Sequence, residues 1–159
     1  MLMRTWPSPL GMMTMTGDDA GLTGLWFEGQ RHMPDLCGCG DGDCPVFDLT
    51  VRWLEDYFSG GRPDVEIPLL LSGTAFQLSV WGQLEKIPYG CTTSYGEIAR
   101  RLGCQSARAV GLAVGRNPIS LIIPCHRVIG SGGRLTGYAG GLWRKEALLR
   151  LEGVLPQED

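Results

Sequence analysis

The chain has 159 residues, 43% of them hydrophobic and 19% charged, with 14 Lys and Arg against 17 Asp and Glu and a formal net charge of −3. That composition excludes disorder as the main state, and the length is room for one domain or for two small lobes, since domains average ~100–200 residues. No apolar run approaches the ~18 residues that a membrane span needs, and residues 1 to 7 lack the basic-then-apolar pattern of a signal peptide, so a soluble, cytoplasmic protein is expected.

The first segment reads as an antiparallel meander: strands at Met3 to Trp6, Met12 to Thr16 and Leu22 to Phe27, with turns at Pro7 to Gly11 and Gly17 to Asp19. Beyond a glycine-rich loop, Val46, Leu49, Trp53 and Tyr57, with Leu54 and Phe58, recur at helical spacing until Gly60 and Gly61 stop the helix. Asp64 to Leu71 alternates like a strand. Thr74-x-x-Gln77 and Ser94-x-x-Glu97 both fit the capping box, in which an N-cap hydroxyl and the side chain three residues on satisfy free amides reciprocally. The first box opens a helix with Phe76, Val80, Leu84 and Ile87 on one stripe, ended near Pro88 to Gly90; the second opens a helix from Tyr95 to about Leu102. A short break, Gly103 to Gln105, precedes Ser106, which can N-cap a further helix to about Gly115, where Asn117-Pro118 prevents continuation. Two short helices joined by a turn containing Gly form a helix-turn-helix. Ile119 to Pro124 is a strand-like apolar run, Gly130 to Gly133 and Gly137 to Gly141 are loops, and Leu142 to Leu151 is a last helix turning Leu148, Leu149 and Leu151 inward.

A net charge of −3 argues at first sight against nucleic acid, but charge is unevenly placed along the chain. Residues 1 to 72 carry four Arg against eleven acidic residues, a net of −7, and the remainder carries ten basic against six acidic residues, a net of +4. The stretch Ile98 to Lys145 holds Arg100, Arg101, Arg108, Arg116, Arg127, Arg134, Arg144 and Lys145 with no Asp or Glu, which suggests a polyanionic partner rather than a bare solvated face.

Six cysteines without a secretory signal point to free thiols, metal ligation or a catalytic thiol rather than to disulfides. Cys37, Cys39 and Cys44 with His32 have the residue types for zinc, but C-x-C-x4-C is a poor match to the C-x2-4-C pairs of structural sites, and the intervening glycines and aspartates read as a loop. No metal and no cofactor are expected. Cys125 lies in Ile123-Pro-Cys-His-Arg-Val-Ile-Gly130, with His126 beside it and Arg127 two residues on. A thiol attacks as thiolate, so it needs a base or positive surroundings. Adjacent side chains seldom bond to each other, so His126 would act through a water, and a carboxylate would have to orient its ring. The acids of this half are Glu85, Glu97, Glu146, Glu152, Glu158 and Asp159; Glu97 is committed to its cap, Glu152 ends the last helix, and Glu158 and Asp159 lie in the tail. By spacing alone, a Cys-His dipeptide reads more readily as a buried structural thiol than as a nucleophile.

Pro124-Cys-His-Arg-Val128, preceded by Gly115-Arg-Asn-Pro118 and followed by Gly137-Tyr-Ala-Gly-Gly-Leu142 and by Lys145-x6-Glu152, resembles the active-site signature of the O6-alkylguanine-DNA alkyltransferases, the methylated-DNA-protein-cysteine methyltransferases. Ile87-Pro-Tyr-Gly90, Thr93 to Ala99 and Ala107-Arg-Ala-Val-Gly111 fall in the same order, and the Ser8-Pro-Leu-Gly11 turn resembles the smaller domain of bacterial members, so the likeness runs through the whole chain. It implies that Cys125 takes an alkyl group from O6 of guanine, and less well from O4 of thymine, irreversibly and once per molecule. His126 would be the base and Glu152 its orienter; Tyr95 would protonate the departing guanine, and Asn117 would brace the turn that presents Cys125. Arg108 would fill the gap left by a base flipped out of the duplex. DNA contacts are expected at Ser94, Ala107, Arg108, Ala109, Gly111, Arg116 and Arg134, with the helix in the minor groove, where small residues permit close approach. Tyr95, Pro124, Val114, Val128, Tyr138 and Ala139 would form the base pocket; some relatives carry Ser at the position of Ala139, and many bacterial ones a polar residue at that of Val114.

The expected fold is therefore α+β. Residues 1–72 would form a small antiparallel-sheet lobe resembling ribonuclease H, and residues 73–159 a helical DNA-binding and alkyl-transfer domain with a winged-helix-like helix-turn-helix. The expected partner is double-stranded DNA containing O6-alkylguanine, bound largely without regard to sequence by a monomer, with cooperativity along DNA left open. A helix-turn-helix regulator, a lesion binder without chemistry and a Cys-His hydrolase with turnover are the competing classes.

Overall fold

The computed structural model describes residues 1–156; Glu158 and Asp159, expected in the tail, lie outside the described residues. The chain divides into two compact units, Met1–Ser72 and Gly73–Asp159. In the first, β1 (Leu2–Ser8), β2 (Gly11–Asp18) and β3 (Gly21–Phe27) form the antiparallel meander that the alternation of turns and apolar runs implies. The sheet has a fourth, two-residue strand that the sequence did not announce, β4 (Gly40–Asp41), parallel to the start of β1 and giving the order β3-β2-β1-β4. Gly24 lies flat beneath the Trp26 ring, which an added Cβ would meet at 1.9 Å, so only glycine fits there.

The helix α1 (Pro45–Phe58) begins with proline at its first turn, where a missing amide costs nothing. Its buried face is Val46, Phe47, Thr50, Leu54 and Tyr57, one step round from the expected stripe: Leu49 and Trp53 sit at its half-buried edge. Met13, Met15, Leu22, Leu25 and Phe27 complete this core, and Trp6 stacks on Phe58 with ring centroids 6.0 Å apart. The strand expected at Asp64 to Leu71 is absent. Only Leu69 bridges to Leu22, through Leu22 N to Pro68 O and Leu70 N to Leu22 O, both at 2.8 Å. Pro68 in mid-segment supplies an acceptor but no donor, so the ladder cannot extend.

The second unit is mainly helical. Thr74 and Gln77 form the complete capping box at α2 (Ala75–Glu85), which buries Val80, Trp81 and Leu84 while Phe76 stays exposed, so the apolar face starts one turn later than expected. Trp81 donates its indole N–H to Ala113 O at 2.9 Å, tying α2 to α4 (Ala107–Gly115). Before α3 (Tyr95–Arg101), Ser94 belongs to a two-residue strand, β5 (Thr93–Ser94), parallel to β6 (Val128–Ile129). Ser94 Oγ accepts from Glu97 N at 3.0 Å, but the Glu97 carboxylate binds Arg100 and Arg101 instead of closing the expected box. Gly103, at φ 66°, makes the turn between α3 and α4, and Ser106 Oγ caps α4 by accepting from Ala109 N. Ile98, Val110, Ile119, Ile123, Val128, Leu148 and Leu149 are fully buried; Leu151, expected inward on α5 (Leu142–Leu151), is half-buried.

Candidate active site

Ile119 to Pro124 is a compact turn and not the strand-like run expected, because its amides close on near neighbours: Ile122 N on Ser120 O at 2.8 Å and Ile123 N on Ile119 O at 3.1 Å. Leu121 is held at φ 71°, a conformation that costs a non-glycine residue ~1–2 kcal/mol and must be imposed by its surroundings. Asn117 imposes it in part. Its side-chain amide donates to Ile123 O at 2.7 Å, and its side-chain oxygen accepts from Ile119 N at 3.0 Å, so one buried side chain clamps both ends of the turn. Pro124 is buried, and Cys125 follows as the first residue of a single 3-10 turn, Cys125–Arg127, all three of whose side chains are buried.

Burial pushes the Cys125 thiol up, and Asn117, the Lys145 charge and Tyr138 pull in the other direction without reversing it. Burial likewise pulls the His126 imidazole down, against the contact with Glu152. Thiol and neutral imidazole are thus the resting forms. Glu152, the residue after α5, accepts from His126 Nε2 at 2.5 Å, from Arg127 Nε at 2.8 Å and Nη2 at 3.2 Å, and from Gly90 N at 3.0 Å. Burial alone would raise this carboxyl, but those donors outweigh it and hold Glu152 at about 2. An ionised Glu152 fixes the proton of a neutral His126 on Nε2, which leaves Nδ1 as the basic nitrogen. Arg127 also donates to Ile87 O at 2.8 Å and lies 5.7 Å from the Tyr89 ring centre.

Lys145 on α5 is fully buried. Its ammonium donates to the carbonyls of Val128 at 2.5 Å, Thr136 at 2.9 Å and Gly137 at 3.3 Å, joining the segment after Cys125 to the loop that leads to Tyr138. Burial lowers Lys145 to about 8. It also lies 6.0 Å from the Tyr95 ring centre. Tyr95 is half-buried and its phenol is raised by burial, so it holds its proton at neutral pH. The Tyr138 hydroxyl is buried close to Cys125, and burial together with Cys125 raises it well above the ordinary tyrosine range.

Beyond Tyr95 an open groove of about 470 Å³ is lined by Arg108, Leu112, Arg134 and Thr136 together with the small residues Ala107 and Gly111. Of the expected DNA contacts, Ala107, Arg108, Gly111 and Arg134 meet there. Arg116 is exposed at the end of α4, Ala109 is half-buried, and the Ser94 hydroxyl is occupied as a helix cap. Of the expected base pocket, Tyr95 borders the groove; Val114 is buried with Val110 and Ala113, Val128 is buried with its carbonyl on Lys145, and Ala139 is half-buried. Sequence reasoning counted Arg127 and Lys145 as positive charge and as members of the family signature and missed both contacts: Arg127 pairs with the Glu152 carboxylate, and Lys145 ties two loops. The signal available was the absence of any neighbouring acid, which leaves a buried cation to seek carbonyls or a distant Glu. Cys37 and Cys39 stay in the exposed N-terminal loop and Cys44 is buried ahead of α1. Among the described residues no three His, Cys, Asp or Glu side chains are grouped to hold a metal ion.

One helix-turn-helix unit thus holds a buried thiol, a histidine bonded to a buried carboxylate and an exposed helix that carries Arg108. Residues 75–154 match the family described as the 6-O-methylguanine DNA methyltransferase, DNA binding domain, and residues 1–71 match the ribonuclease-like domain of the same methyltransferase. The chain is 49% identical over 150 residues, 94% of its length and 90% of the relative's, to a methylated-DNA--protein-cysteine methyltransferase of Mycolicibacterium paratuberculosis, and 47% identical over 147 residues to one of Methanosarcina acetivorans, covering 92% and 94%. It superposes with a TM-score of 0.89 and 46% identity on Mycobacterium tuberculosis OGT, solved in complex with DNA, covering 96% of this chain and 92% of that one. The chain belongs to the 6-O-methylguanine DNA methyltransferase family.

Proposed function

We propose that this chain repairs DNA directly, by moving a methyl or other alkyl group from O6 of guanine in duplex DNA onto Cys125. The observation that carries the reading is the buried run Cys125, His126, Glu152 and Arg127, set behind a groove that presents Arg108 and Arg134 and no acidic residue. The groove side of α4 meets DNA through the minor groove, largely without reading sequence, and a flipped guanine enters past Tyr95. In the transfer step the Cys125 sulfur forms a bond to the alkyl carbon as the bond from that carbon to O6 breaks in line. The thiol proton passes through a water to Nδ1 of His126, whose Nε2 proton stays shared with Glu152. The electron pair of the broken bond stays on the guanine, which takes a proton from Tyr95. Lys145, near that ring, favours the phenolate formed at that moment.

Burial of both Cys125 and His126 in their neutral forms means that no thiolate is stored; it forms when the substrate closes the site. A thioether is not a leaving group, so each molecule acts once. Incubation with an excess of methylated duplex followed by peptide mass spectrometry checks this. One added methyl on the peptide that holds Cys125 is expected; several methyls per molecule, methyl on another residue, or released methanol with repeated turnover would overturn it.

A further inference from the structure

Leu112 is 66% exposed, more than any of the other exposed large hydrophobic side chains among the described residues. It lies four residues after Arg108 on α4, so the two share one face of the helix. Ala107 and Gly111 on that face have almost no side chain, and an added Cβ at Gly111 would already touch the Tyr95 ring at 3.7 Å. Arg108 and Leu112 are therefore the two long side chains that stand out from a low surface, and both line the groove that Arg134 borders from the other side. Two arginines and no acid fit a polyanion; an exposed leucine beside them adds nothing to phosphate binding, because an apolar side chain gains nothing next to a charged oxygen. It fits a surface that offers an apolar wall as well as phosphates.

We propose that Leu112 is a DNA-positioning residue, packing against deoxyribose in the minor groove and supplying a salt-independent part of the affinity, while Arg108 and Arg134 supply the salt-dependent part. The inference rests on the reading that this face of α4 meets DNA. Minor-groove proteins combine cationic side chains with apolar ones that follow the groove floor or enter between base steps. The two contributions differ in kind: neutralising a phosphate releases counterions and steepens the fall of affinity with salt by ~0.9 per contact, whereas apolar burial leaves that slope alone.

Binding of the full chain to a short undamaged duplex, followed by fluorescence anisotropy over a range of KCl, separates them. Leu112→Ala should weaken binding about tenfold at every salt concentration with the slope unchanged. Leu112→Met should stay within about twofold of the native chain, and Leu112→Gln, of similar length but polar, should stay weak. Arg134→Ala should reduce the slope by ~0.9. Because Leu112 is exposed, the thermal midpoint should not move; a midpoint that falls together with affinity would make the side chain a structural prop and overturn the proposal. So would a Leu112→Ala variant that binds like the native chain, or one whose deficit disappears at high salt. If the native chain itself shows no salt-dependent binding, no variant has a slope to compare and the DNA reading fails along with this one.

Discussion

The cations of the second unit fall into two groups that differ in what their charge meets. Arg108 and Arg134 line an open groove and face solvent, where salt screens them over a Debye length of ~10 Å at 0.1 M. Arg127 and Lys145 are buried, Arg127 on the Glu152 carboxylate and Lys145 on three carbonyl oxygens, where bulk ions do not reach. All four come from one acid-free stretch of sequence. The exposed pair can only set how the protein meets a partner, and the buried pair can only set the shape and electrostatics of the site around Cys125. Substitutions should therefore separate cleanly: buried ones change stability and chemistry at any salt, exposed ones change association and its salt dependence.

The largest effect is expected at Lys145. Lys145→Met keeps much of the volume and deletes the donor to Val128 O, Thr136 O and Gly137 O. Val128 is buried, and its carbonyl left without a donor costs ~1–3 kcal/mol, a large share of the ~5–15 kcal/mol total of an ordinary domain, whereas Thr136 and Gly137 are exposed and water can replace the ammonium at their carbonyls. The urea midpoint should drop severely, in high salt as in low; an unchanged midpoint would mean that these carbonyls hydrate freely and that Lys145 belongs with the exposed group. The same charge favours the Cys125 thiolate, so any folded fraction should also react more slowly.

Next comes Glu152→Gln. It leaves Arg127 buried beside a neutral amide and no longer fixes the His126 proton on Nε2. Alkyl transfer should slow by ~10²-fold or more, the range for a disabled general base, while duplex affinity stays nearly native. Equal losses in both would contradict the division of labour. The substitution also has a signature in acid. Glu152 is held at about 2, below its ordinary 4.5, so its contribution is complete above pH 4.5 and is lost as pH falls toward 2. His126 is also held below its ordinary value, and an unfolded chain that protonates more readily gains as pH falls below 6.5. Native stability should thus decline in acid in two stages, and Glu152→Gln should shrink the lower one to the small share of the exposed Glu97 in urea titrations run at successive pH values.

Arg108→Ala probes the other group. Stability should change by no more than ~0.5 kcal/mol, as for an exposed side chain with no structural task. Repair of methylated duplex should fall far more than reaction with the free alkylated base, since only the duplex reaction requires a base to leave the stack. A proportional loss in both would make Arg108 a part of the chemistry rather than of docking.

This division explains what could be read in the sequence and what could not. Turn residues and periodicity marked the three-stranded meander, α1 and the pair α3 and α4, because those signals are local: Thr74 and Gln77, or Gly103 between two short helices, act within a few residues. The strand proposed at Asp64 to Leu71 failed because Pro68 withholds a donor, and the run before Cys125 failed because Asn117, a residue outside it, folds it into a turn. The Cys-His-Arg motif stood out, but the side chains that tune it arrive from far along the chain: Glu152 lies 26 residues after His126, and Ile87 lies 40 before Arg127. Charge counting treated eight cations alike because nothing in a linear count tells a cation headed for carbonyls from one headed for solvent.

The smallest expected effect tests the boundary between the groups. Arg100 and Arg101 are exposed, yet each is bonded to Glu97, Arg100 at 2.7 and 3.0 Å and Arg101 at 3.1 Å. Arg100 is the main cause that holds Glu97 at about 2. Short distances at a surface do not make these pairs strong: the charges are hydrated in either state, the side chains lose rotamer freedom, and solvent screens what attraction is left. Because Arg101 still binds Glu97 when Arg100 is gone, Arg100→Ala should leave the urea midpoint nearly unchanged, and the small difference should vanish in 1 M NaCl, where the screening length is ~3 Å. Chemical denaturation in urea at low and high salt measures it. A clear drop in the midpoint that persists in high salt would place Arg100 with Arg127 and Lys145, and exposure would then no longer be what sorts the cations of this unit.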